Sequence, residues 1–190
     1  MANHEIKFRG PVDLNPEIVK LQEPKMWLLE SILNQETGQG RMSAMILSAV
    51  KEGQEKKIGH IVFADINTIA RSAVLNFNMI LRSDLDNGIP VDFKNLFEPD
   101  FFSNQWNAIF VNSEDRGIGI GNILFRCGVL HVADFGIKNV VIYSKPESRG
   151  FYEKQGAINN AAVPIRNLLT LETQAIVAQH KGYLDTVVKM

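Results

Sequence analysis

Alternating and apolar runs in the first third of the chain predict three β-strands. A short alternating segment at residues 5–9 is typical of an edge strand. Two longer strand-like runs follow at residues 42–50 and 57–64. The linker between them, residues 51–56, is polar and contains a glycine, so we expect these two strands to form a hairpin.

Helix signals lie between the first and second of these strands. Asn15 and Pro16 form a helix-start signal, and Pro24 divides the region into two predicted helices, at about 16–23 and 25–34. The second helix is predicted from four apolar residues at helical spacing, namely Met26, Leu29, Ile32 and Leu33.

The middle of the chain, from residue 66 to residue 105, has a mixed pattern. Residues 66–85 fit one face of a helix over more positions than they fit strand alternation, so a helix is favoured and a strand is the alternative. An Asp-Asn-Gly turn at 86–88 opens a long segment, 86–105, rich in phenylalanine and acidic residues. A loop of this length is more often a lid or binding loop than filler, although its phenylalanines could instead cover one end of the core.

From residue 106 strands and helices alternate. The predicted elements are a strand at 108–111, a helix at 119–137, a strand at 140–143 and a short helix that stops at Gly156. On the long helix a polar stripe is expected to face solvent, formed by Asn122, Arg126, Asp134 and Lys138. This succession predicts an α/β fold.

Three further features complete this half. Residues 144–147 have the Ser-x-x-Glu form of a capping box at the start of the short helix. Strand-like runs follow at 161–165 and 168–171. The last segment, 173–190, has a weaker pattern.

Composition narrows the function classes without naming one. The 190 residues suit one domain with a sizeable core. A net charge of −1 does not favour non-specific binding to nucleic acid, and no apolar run is long enough to cross a membrane. One cysteine and four scattered histidines form neither a disulfide nor a zinc pattern. We therefore expect a cytoplasmic protein without a bound metal.

The glycine-rich stretch from Arg116 to Gly121, between a predicted strand and a predicted helix, carries the clearest chemistry. Glycines allow close approach of a ligand to the backbone, and the start of a helix presents unpaired N–H groups with partial positive charge. Such a turn suits a phosphate, and Arg116 adds a full charge. A P-loop needs Gly-Lys-Ser/Thr and a dinucleotide fold needs G-x-G-x-x-G, and neither spacing is present.

The spacing that is present, R-x-x-G-x-G, is similar to the acyl-CoA pyrophosphate loop of the GNAT superfamily of N-acetyltransferases. About thirty residues on, the segment Phe-Tyr-Glu-Lys-Gln-Gly at 151–156 resembles a second motif of that family. The resemblance covers 106–157. It implies a single α/β domain, 1–190, with a mixed central β-sheet flanked by helices. In this domain 106–157 is the acyl-CoA-binding core, 1–105 is the amino-terminal half with a candidate insertion at 66–105, and 158–190 forms the carboxy-terminal strands and tail.

The resemblance also implies roles for individual residues. The pyrophosphate of acetyl-CoA would bind Arg116 and the backbone amides of the turn residues Gly117, Ile118, Gly119, Ile120 and Gly121. The pantetheine arm would pair with the backbone of Phe110 and Val111, and the Val111 amide would stabilise the oxyanion. Tyr152 would protonate the leaving thiolate. Lys145 replaces the asparagine that contacts CoA in many members, so it would meet a phosphate or face water.

In this family the amine attacks the thioester directly, and the sequence contains no nucleophile elbow. Cys127, in the middle of an apolar helix, is expected to be a small buried hydrophobe. Histone-type members have a carboxylate that acts as the general base where this chain has Trp106 and Asn107, so no general base is assigned. His60, a loop carboxylate or a water chain remain open for that role, while His131 is expected to be structural. Glu114 and Asp115 are expected at the exposed end of the strand.

Charge is distributed unevenly around the motif. Residues 82–115 contain two basic and seven acidic side chains, whereas residues 116–154 contain six basic and three acidic ones. A basic half suits anionic CoA, and an acidic, aromatic segment suits a cationic amine, although ordinary surface patterning is the alternative. The candidate acceptor contacts are Asp92, Glu98 and Asp100.

Two functions follow from these observations. The leading prediction is an acyl-CoA-dependent N-acyltransferase, in particular an N-acetyltransferase, with acetyl-CoA as co-substrate and a small-molecule or peptide amine as acceptor. It involves neither nucleic acid nor membrane, and a homodimer is left open. The alternative is a GNAT-fold module that binds acyl-CoA, or senses it, without turnover. A third reading is an interaction domain without a ligand.

Overall fold

The computed structural model describes residues 4–14, 26–37, 40–67, 72–75, 109–134, 136–159 and 168–180. The strands are β1 (His4–Val12), β2 (Met26–Thr37), β3 (Gly40–Lys51), β4 (Gln54–Asn67), β5 (Ser72–Leu75), β6 (Ile109–Val111), β7 (Asn139–Tyr143), β8 (Ile158–Asn159) and β9 (Leu168–Glu172). The α-helices are α1 (Ile120–Asp134), α2 (Arg149–Lys154) and α3 (Thr173–Gln179), and 3-10 turns cover Ser113–Asp115 and Pro146–Ser148. The predictions for 16–23, 86–105 and 161–165 lie outside the described residues.

The amino-terminal half is an antiparallel sheet of long strands. β1, β2, β3 and β4 pair in sequence order, with β1 at the edge of the sheet. The three strands predicted in this half are confirmed, and each is longer than predicted. The hairpin between β3 and β4 is also confirmed. It turns on Glu52 and Gly53, whose φ angles of 52° and 78° are those of a two-residue turn that follows the twist of the strands.

The helix predicted at 25–34 is wrong, because this segment is β2. Trp27, Leu29 and Ser31 are buried while Leu28 and Glu30 are only partly so, which is a period of two. The strand is hydrogen-bonded on both sides, to β1 and to β3. Its apolar residues on both faces happened to match helical spacing.

The strand next to β4 is interrupted. Residues of β5 lie opposite Ala64–Asn67, and residues of β6 lie opposite Gly59–Ile61, so the two short strands follow one another along the same edge of β4. The 33 residues 76–108 separate them in the sequence. The helix favoured at 66–85 is therefore wrong at 66–67, which end β4, and at 72–75, where the strand alternative holds. Residues 68–71 and 76–85 lie outside the described part of the chain.

The sheet opens beside β6. β5 pairs in parallel with β7, and antiparallel pairs then join β7 to β9 and β9 to β8. Among the described strands, β6 is hydrogen-bonded to β4 alone, so a gap separates it from β7. The strands predicted at 108–111, 140–143 and 168–171 are confirmed as β6, β7 and β9. The predicted α/β class with a mixed sheet flanked by helices is likewise confirmed.

Helix α1 covers one face of the sheet and confirms the helix predicted at 119–137. It packs tightly on the sheet at Gly128, where an added Cβ would lie 2.6 Å from Phe63 and 2.8 Å from Ile61. The predicted polar stripe is only partly solvated. Asp134 and Lys138 are exposed, whereas Asn122 and Arg126 are partly buried and hydrogen-bonded to Gln155.

The short helix predicted before Gly156 is confirmed as a 3-10 turn followed by α2. Gly156 has a φ of 94°, the left-handed conformation that ends a helix. The predicted capping box is wrong, since the residue that caps the 3-10 turn is Lys145 and no side chain makes the cap hydrogen bond. The segment from Thr173, weak in the sequence, begins with helix α3.

Candidate functional site

A cavity of about 650 Å³ occupies the gap beside β6. Its walls are the end of β6, the glycine turn, the first residues of α1, and the segment of 145–152 that includes the start of α2. The lining residues are Ile109, Phe110, Val111, Asp115, Arg116, Gly117, Gly119, Ile120, Gly121, Asn122, Lys145, Glu147, Ser148, Phe151 and Tyr152. Both sequence motifs therefore meet in one cavity.

The turn that enters α1 depends on two glycines. Gly117 has a φ of 80° and Gly119 a φ of 97°, both in the region that side chains with a Cβ rarely adopt. The amides of Asn122 and Ile123 donate to the Gly119 carbonyl, so the helix begins there. The first amides of a helix have no partner within it, and at this helix start they belong to residues that line the cavity. This wall is suited to an anion.

Arg116 bends back over the end of β6. Its Nε donates a 2.9 Å hydrogen bond to the Val111 carbonyl, and its guanidinium lies 5.9 Å from the centre of the Phe110 ring. The side chain is otherwise exposed. The positive charge of the Arg116 guanidinium therefore lies next to the glycine turn, where it adds to the partial positive charge at the start of α1.

The backbone of β6 has one edge turned toward β4 and one toward the gap. The amide of Asn112 donates to the Ile58 carbonyl of β4 at 2.9 Å. The Phe110 carbonyl is so close to Gly59 that a Cβ there would overlap it. Because backbone groups alternate in direction along a strand, those of Val111 and Ile109 point away from β4, into the gap.

Tyr152 joins the cavity to the core. It is only 5% exposed, and its ring packs against Phe125 and Phe151 with centroids 5.8 Å and 5.1 Å away. Burial raises the pKa of its phenol to about 12. At neutral pH the group is therefore a protonated O–H, a hydrogen-bond donor on the cavity wall.

The two acidic residues before Arg116 have different surroundings. Glu114 is exposed, as expected, and pairs with Lys56 of the β3–β4 hairpin, whose hydrogen bond lowers the pKa of the Glu114 carboxyl. Asp115 was expected at an exposed end, and that prediction is wrong. It is 9% exposed, it lines the cavity, and its Oδ2 has no hydrogen-bond partner. A buried carboxylate thus stands beside the anion-binding turn.

The other reactive groups lie off the cavity wall. His60 is buried on β4, and its ring stacks on Phe110 with centroids 5.8 Å apart. His131 of α1 is hydrogen-bonded to the Ser31 hydroxyl through Nε2 at 2.9 Å, a contact between helix and sheet. Cys127 is fully buried, and burial raises the pKa of its thiol to about 12.

Most of the predicted site residues that fall in the described part of the chain line this cavity. The exception is Ile118, whose side chain packs against the hydrophobic core. Asp92, Glu98 and Asp100 lie outside the described residues, and their role stays a prediction. Sequence reasoning missed Asn122 as a cavity residue because it was assigned to a solvent-facing stripe, and it missed Asp115, whose burial no local pattern indicates.

In the described part of the chain, no helix is long and apolar enough to cross a membrane. Within the same ranges, no three His, Cys, Asp or Glu side chains are grouped so as to hold a metal ion.

No protein-family model matches the chain, and no curated protein matches it. Among solved structures it is similar to GCN5 of Tetrahymena, with 17% identity and a TM-score of 0.45 over 70% of this chain and 68% of that chain. It is also similar to a mutant form of the spermidine/spermine N-acetyltransferase SpeG from Vibrio cholerae, with 12% identity and a TM-score of 0.45 over 73% of this chain and 70% of that chain. At identities and TM-scores this low, the functional assignment depends on the two motifs and the cavity that they line.

Proposed function

We propose that this protein is an acyl-CoA-dependent N-acyltransferase that passes an acyl group, most simply acetyl, from CoA directly to a primary amine. The observation that carries the proposal is the meeting of the two motifs in one cavity. A glycine turn with two left-handed glycines opens into the start of α1, and Tyr152 lines the same cavity. One ligand in this cavity could therefore contact both the anion-binding turn and the Tyr152 hydroxyl, a proton donor.

The turn would hold the diphosphate of the cofactor. The amides of 117–121 and the start of α1 supply hydrogen-bond donors and partial positive charge, and Arg116 adds a full charge at the mouth. Lys145 lines the same cavity and would meet a second phosphate group. The Ile118 amide would act through its backbone only, since its side chain belongs to the core.

The pantetheine arm would lie in the gap along β6. Its amides would pair with the Ile109 backbone and with the second lone pair of the Val111 carbonyl, both of which point away from β4. Phe110 would contribute its ring rather than its backbone. The Val111 amide would then donate to the oxyanion of the tetrahedral intermediate, while its carbonyl is held by Arg116.

In the transfer step, the amine nitrogen bonds to the thioester carbon and the C–S bond breaks. The sulfur leaves with the electron pair of that bond and takes a proton from the neutral Tyr152 phenol, and the proton that the acceptor releases returns the phenolate to its neutral form. The acceptor must also lose a proton, and its base is not assigned. Cys127 takes no part, because its thiol is buried in α1.

The acceptor would be a cationic amine, either a small molecule or a peptide. The chain enters the cavity wall at Ile109 directly from the segment that contains the acidic candidates Asp92, Glu98 and Asp100. These three carboxylates are proposed to attract the amine before it loses its proton. We also propose that the protein is cytoplasmic, where acetyl-CoA is present in solution. The proposed assembly is a homodimer.

The first experiment measures cofactor binding. Acetyl-CoA is titrated calorimetrically and the melting temperature is followed, since a ligand at 100 times its Kd stabilises the folded state by about 2.7 kcal/mol. Gly119→Ala should abolish binding because alanine is strained at a φ of 97°. Gly150→Ala is the matched control, since a Cβ there meets no atom within 4 Å. Absence of binding by the natural protein would refute the proposal.

The second experiment measures transfer. Release of free CoA is followed with a panel of amines that includes polyamines and lysine peptides. Tyr152→Phe should lower kcat by about 10²-fold or more and leave the Kd for acetyl-CoA nearly unchanged, because proton donation acts only as the thiolate leaves. A Tyr152→Phe enzyme with full kcat would remove the tyrosine from the mechanism.

The second candidate function is a module that binds acyl-CoA without turnover. It is favoured by two features of the sequence around the cavity: Lys145 stands where many members of the resembled family have asparagine, and residues 106 and 107, before β6, are not carboxylates. Tight binding of acetyl-CoA with no transfer to any amine of the panel would support the module over the enzyme.

A further inference from the structure

A chain of three side chains links α1 to the end of α2 behind the cavity wall. Gln155, the residue after α2, is only 9% exposed. Its Oε1 accepts a 3.4 Å hydrogen bond from the Arg126 Nε, and its Nε2 donates a 2.9 Å hydrogen bond to the Asn122 Oδ1. Arg126 and Asn122 both belong to α1, and Asn122 is also part of the cavity wall, next to Gly121.

The hydrogen-bonding groups that each of these three side chains carries fix which atom donates and which accepts. An arginine side chain has only donors, so the amide oxygen of Gln155 must face Arg126. The Gln155 NH₂ group must then face Asn122, which presents its oxygen in return. With its oxygen engaged, Asn122 keeps its NH₂ group as the polar group for the cavity side. The order of donors therefore runs from Arg126 through Gln155 to Asn122.

Close packing holds α2 and α1 in this relation. A Cβ at Gly121 would be 3.6 Å from the Phe151 ring, so the first turn of α1 lies against α2. The Gln155 amide donates to the Tyr152 carbonyl at 3.0 Å, and the Ala157 amide donates to the same carbonyl at 3.1 Å. The backbone at Gln155 is thereby fixed, and its side chain has a defined reach to α1.

We propose that the Asn122 side-chain NH₂ is a further ligand contact, which donates to a diphosphate oxygen of acyl-CoA, and that Gln155 is the positioning residue that turns it into the cavity. This inference rests on the proposed function. The donor lies one residue beyond the glycine turn, so it extends the row of helix-start amides with a side-chain donor. If the Gln155 NH₂ donor is replaced by an acceptor, the Asn122 NH₂ group should turn away from the cavity.

The test is Gln155→Glu, a change of nearly the same shape. The introduced carboxylate still accepts from Arg126 but has no donor for Asn122. Asn122 would then turn its NH₂ toward the carboxylate and its oxygen toward the bound phosphate. We expect the melting temperature to be kept and the affinity for acetyl-CoA to fall by about 10-fold, the effect of one lost hydrogen bond to a charged group. Gln179→Glu, the same change at an exposed position, should leave affinity unchanged.

A double-mutant cycle separates positioning from simple repulsion of the cofactor. In the Asn122→Ala background, Gln155→Glu should lower affinity by less than about 2-fold, because the donor that it misdirects is already gone. A full 10-fold loss in that background would overturn the proposal, since it would show a through-space charge effect. If Gln155→Glu does not fold, Gln155→Met, which keeps size and removes both hydrogen bonds, takes its place in the cycle with the same criterion.

Two controls test whether Asn122 contacts the diphosphate, and separate failure of this inference from failure of the proposed function. Dephospho-CoA, which lacks the 3′-phosphate, should show the same 10-fold loss with Gln155→Glu; no loss with dephospho-CoA would overturn the assignment to the diphosphate. Failure of the proposed function has a different signature, because the natural protein would then bind neither cofactor. Binding by the natural protein together with unchanged affinity in Gln155→Glu would overturn this inference alone.

Discussion

At the scale of single residues, burial decides which reactive groups are available for chemistry. Cys127 and Tyr152 have pKa values raised to about 12 by the same cause, the loss of water around the charged form. Their surroundings nevertheless give opposite outcomes. Cys127 is enclosed by the core and is not among the residues that line the described cavity, whereas Tyr152 lines that cavity and keeps its proton. The raised pKa disables a thiol nucleophile, whereas it keeps the phenol protonated up to strongly alkaline pH.

Cys127 should therefore resist thiol reagents in the native protein. Only the thiolate reacts, and neither thiolate nor access exists while α1 stays packed. We expect labelling by an aromatic disulfide to be slower than in urea by about 10²-fold or more, because it must wait for opening of the core. The chain has one cysteine, so one thiol should appear on unfolding. Rapid labelling of the folded protein would contradict the packing of α1.

Tyr152 should make the protein sensitive to alkaline pH. Its pKa is about 12 in the folded state, and about 10 is usual for an unfolded chain. Between these values the unfolded state loses the phenol proton while the folded state keeps it, so stability falls as pH rises. The fall is at most about 2.7 kcal/mol over the two pH units, at 1.36 kcal/mol per unit. Below pH 10 this contribution is fully present.

The measurement compares urea unfolding of the natural protein with Tyr152→Phe at pH 8, 10 and 11.5. The variant lacks the ionisable group, so its stability should decrease less between pH 10 and 11.5. Equal decreases in the two proteins would mean that the phenol is not buried as described.

At the scale of elements, the sequence predicted well those parts whose cause is local. The glycine turn was predicted correctly because two positive φ angles and a helix start are properties of adjacent residues, Gly117 to Ile120. The hairpin at Glu52 and Gly53 was predicted for the same reason. These features require no knowledge of distant contacts.

Elements defined by distant partners were not predicted. β2 has apolar residues on both faces, such as Leu28 and Leu29, so its alternation was hidden, and only its pairing with β1 and β3 makes it a strand. β5 has four residues, too few for a period to be read, and its position depends on β4 and β7. The burial of Asp115 likewise follows from how the cavity closes around it.

Packing of α1 on β4 gives a prediction at this scale. Gly128→Ala should destabilise the protein by about 1–3 kcal/mol, because the new methyl group overlaps Phe63 and Ile61 and overpacking outweighs the gain in helix propensity. Gly150→Ala, in α2 with open space around it, should instead stabilise by about 0.5–1 kcal/mol.

Urea midpoints at neutral pH distinguish the two glycines of this comparison. The sign of each change in the free energy of unfolding is more informative than its size, because both variants make the same chemical change in a helix. Gly128→Ala with the stability of the natural protein would show that α1 can shift on the sheet.

At the scale of the whole molecule, the interrupted strand explains where the cavity lies. β5 takes the place between β4 and β7, and β6 continues along β4 without reaching β7, so the sheet opens at the point where the glycine turn begins. The same gap exposes the Val111 and Ile109 backbone. The phosphate-binding turn and the strand edge that would hold the rest of the cofactor therefore arise from one feature of topology.

The charges around this cavity cancel, as they do in the whole chain. Among the described lining residues, Arg116 and Lys145 oppose Asp115 and Glu147. A polyanionic cofactor would then be held mainly by hydrogen bonds from backbone amides, with little net attraction from side-chain charges, so its affinity should depend only weakly on salt. Asp115, with its unpaired Oδ2 beside the turn, is the charge that most opposes binding.

Asp115→Asn should accordingly bind acetyl-CoA more tightly, by about 5-fold at 20 mM salt, an estimate for one unit charge partly shielded from water. At 0.5 M salt the gain should shrink to less than about 2-fold as screening increases. Glu114→Gln is the matched control, since it removes the same charge one residue earlier, at an exposed site paired with Lys56. Weaker binding by Asp115→Asn at every salt concentration would instead assign Asp115 a role in shaping the turn, because a removed negative charge cannot by itself repel the cofactor.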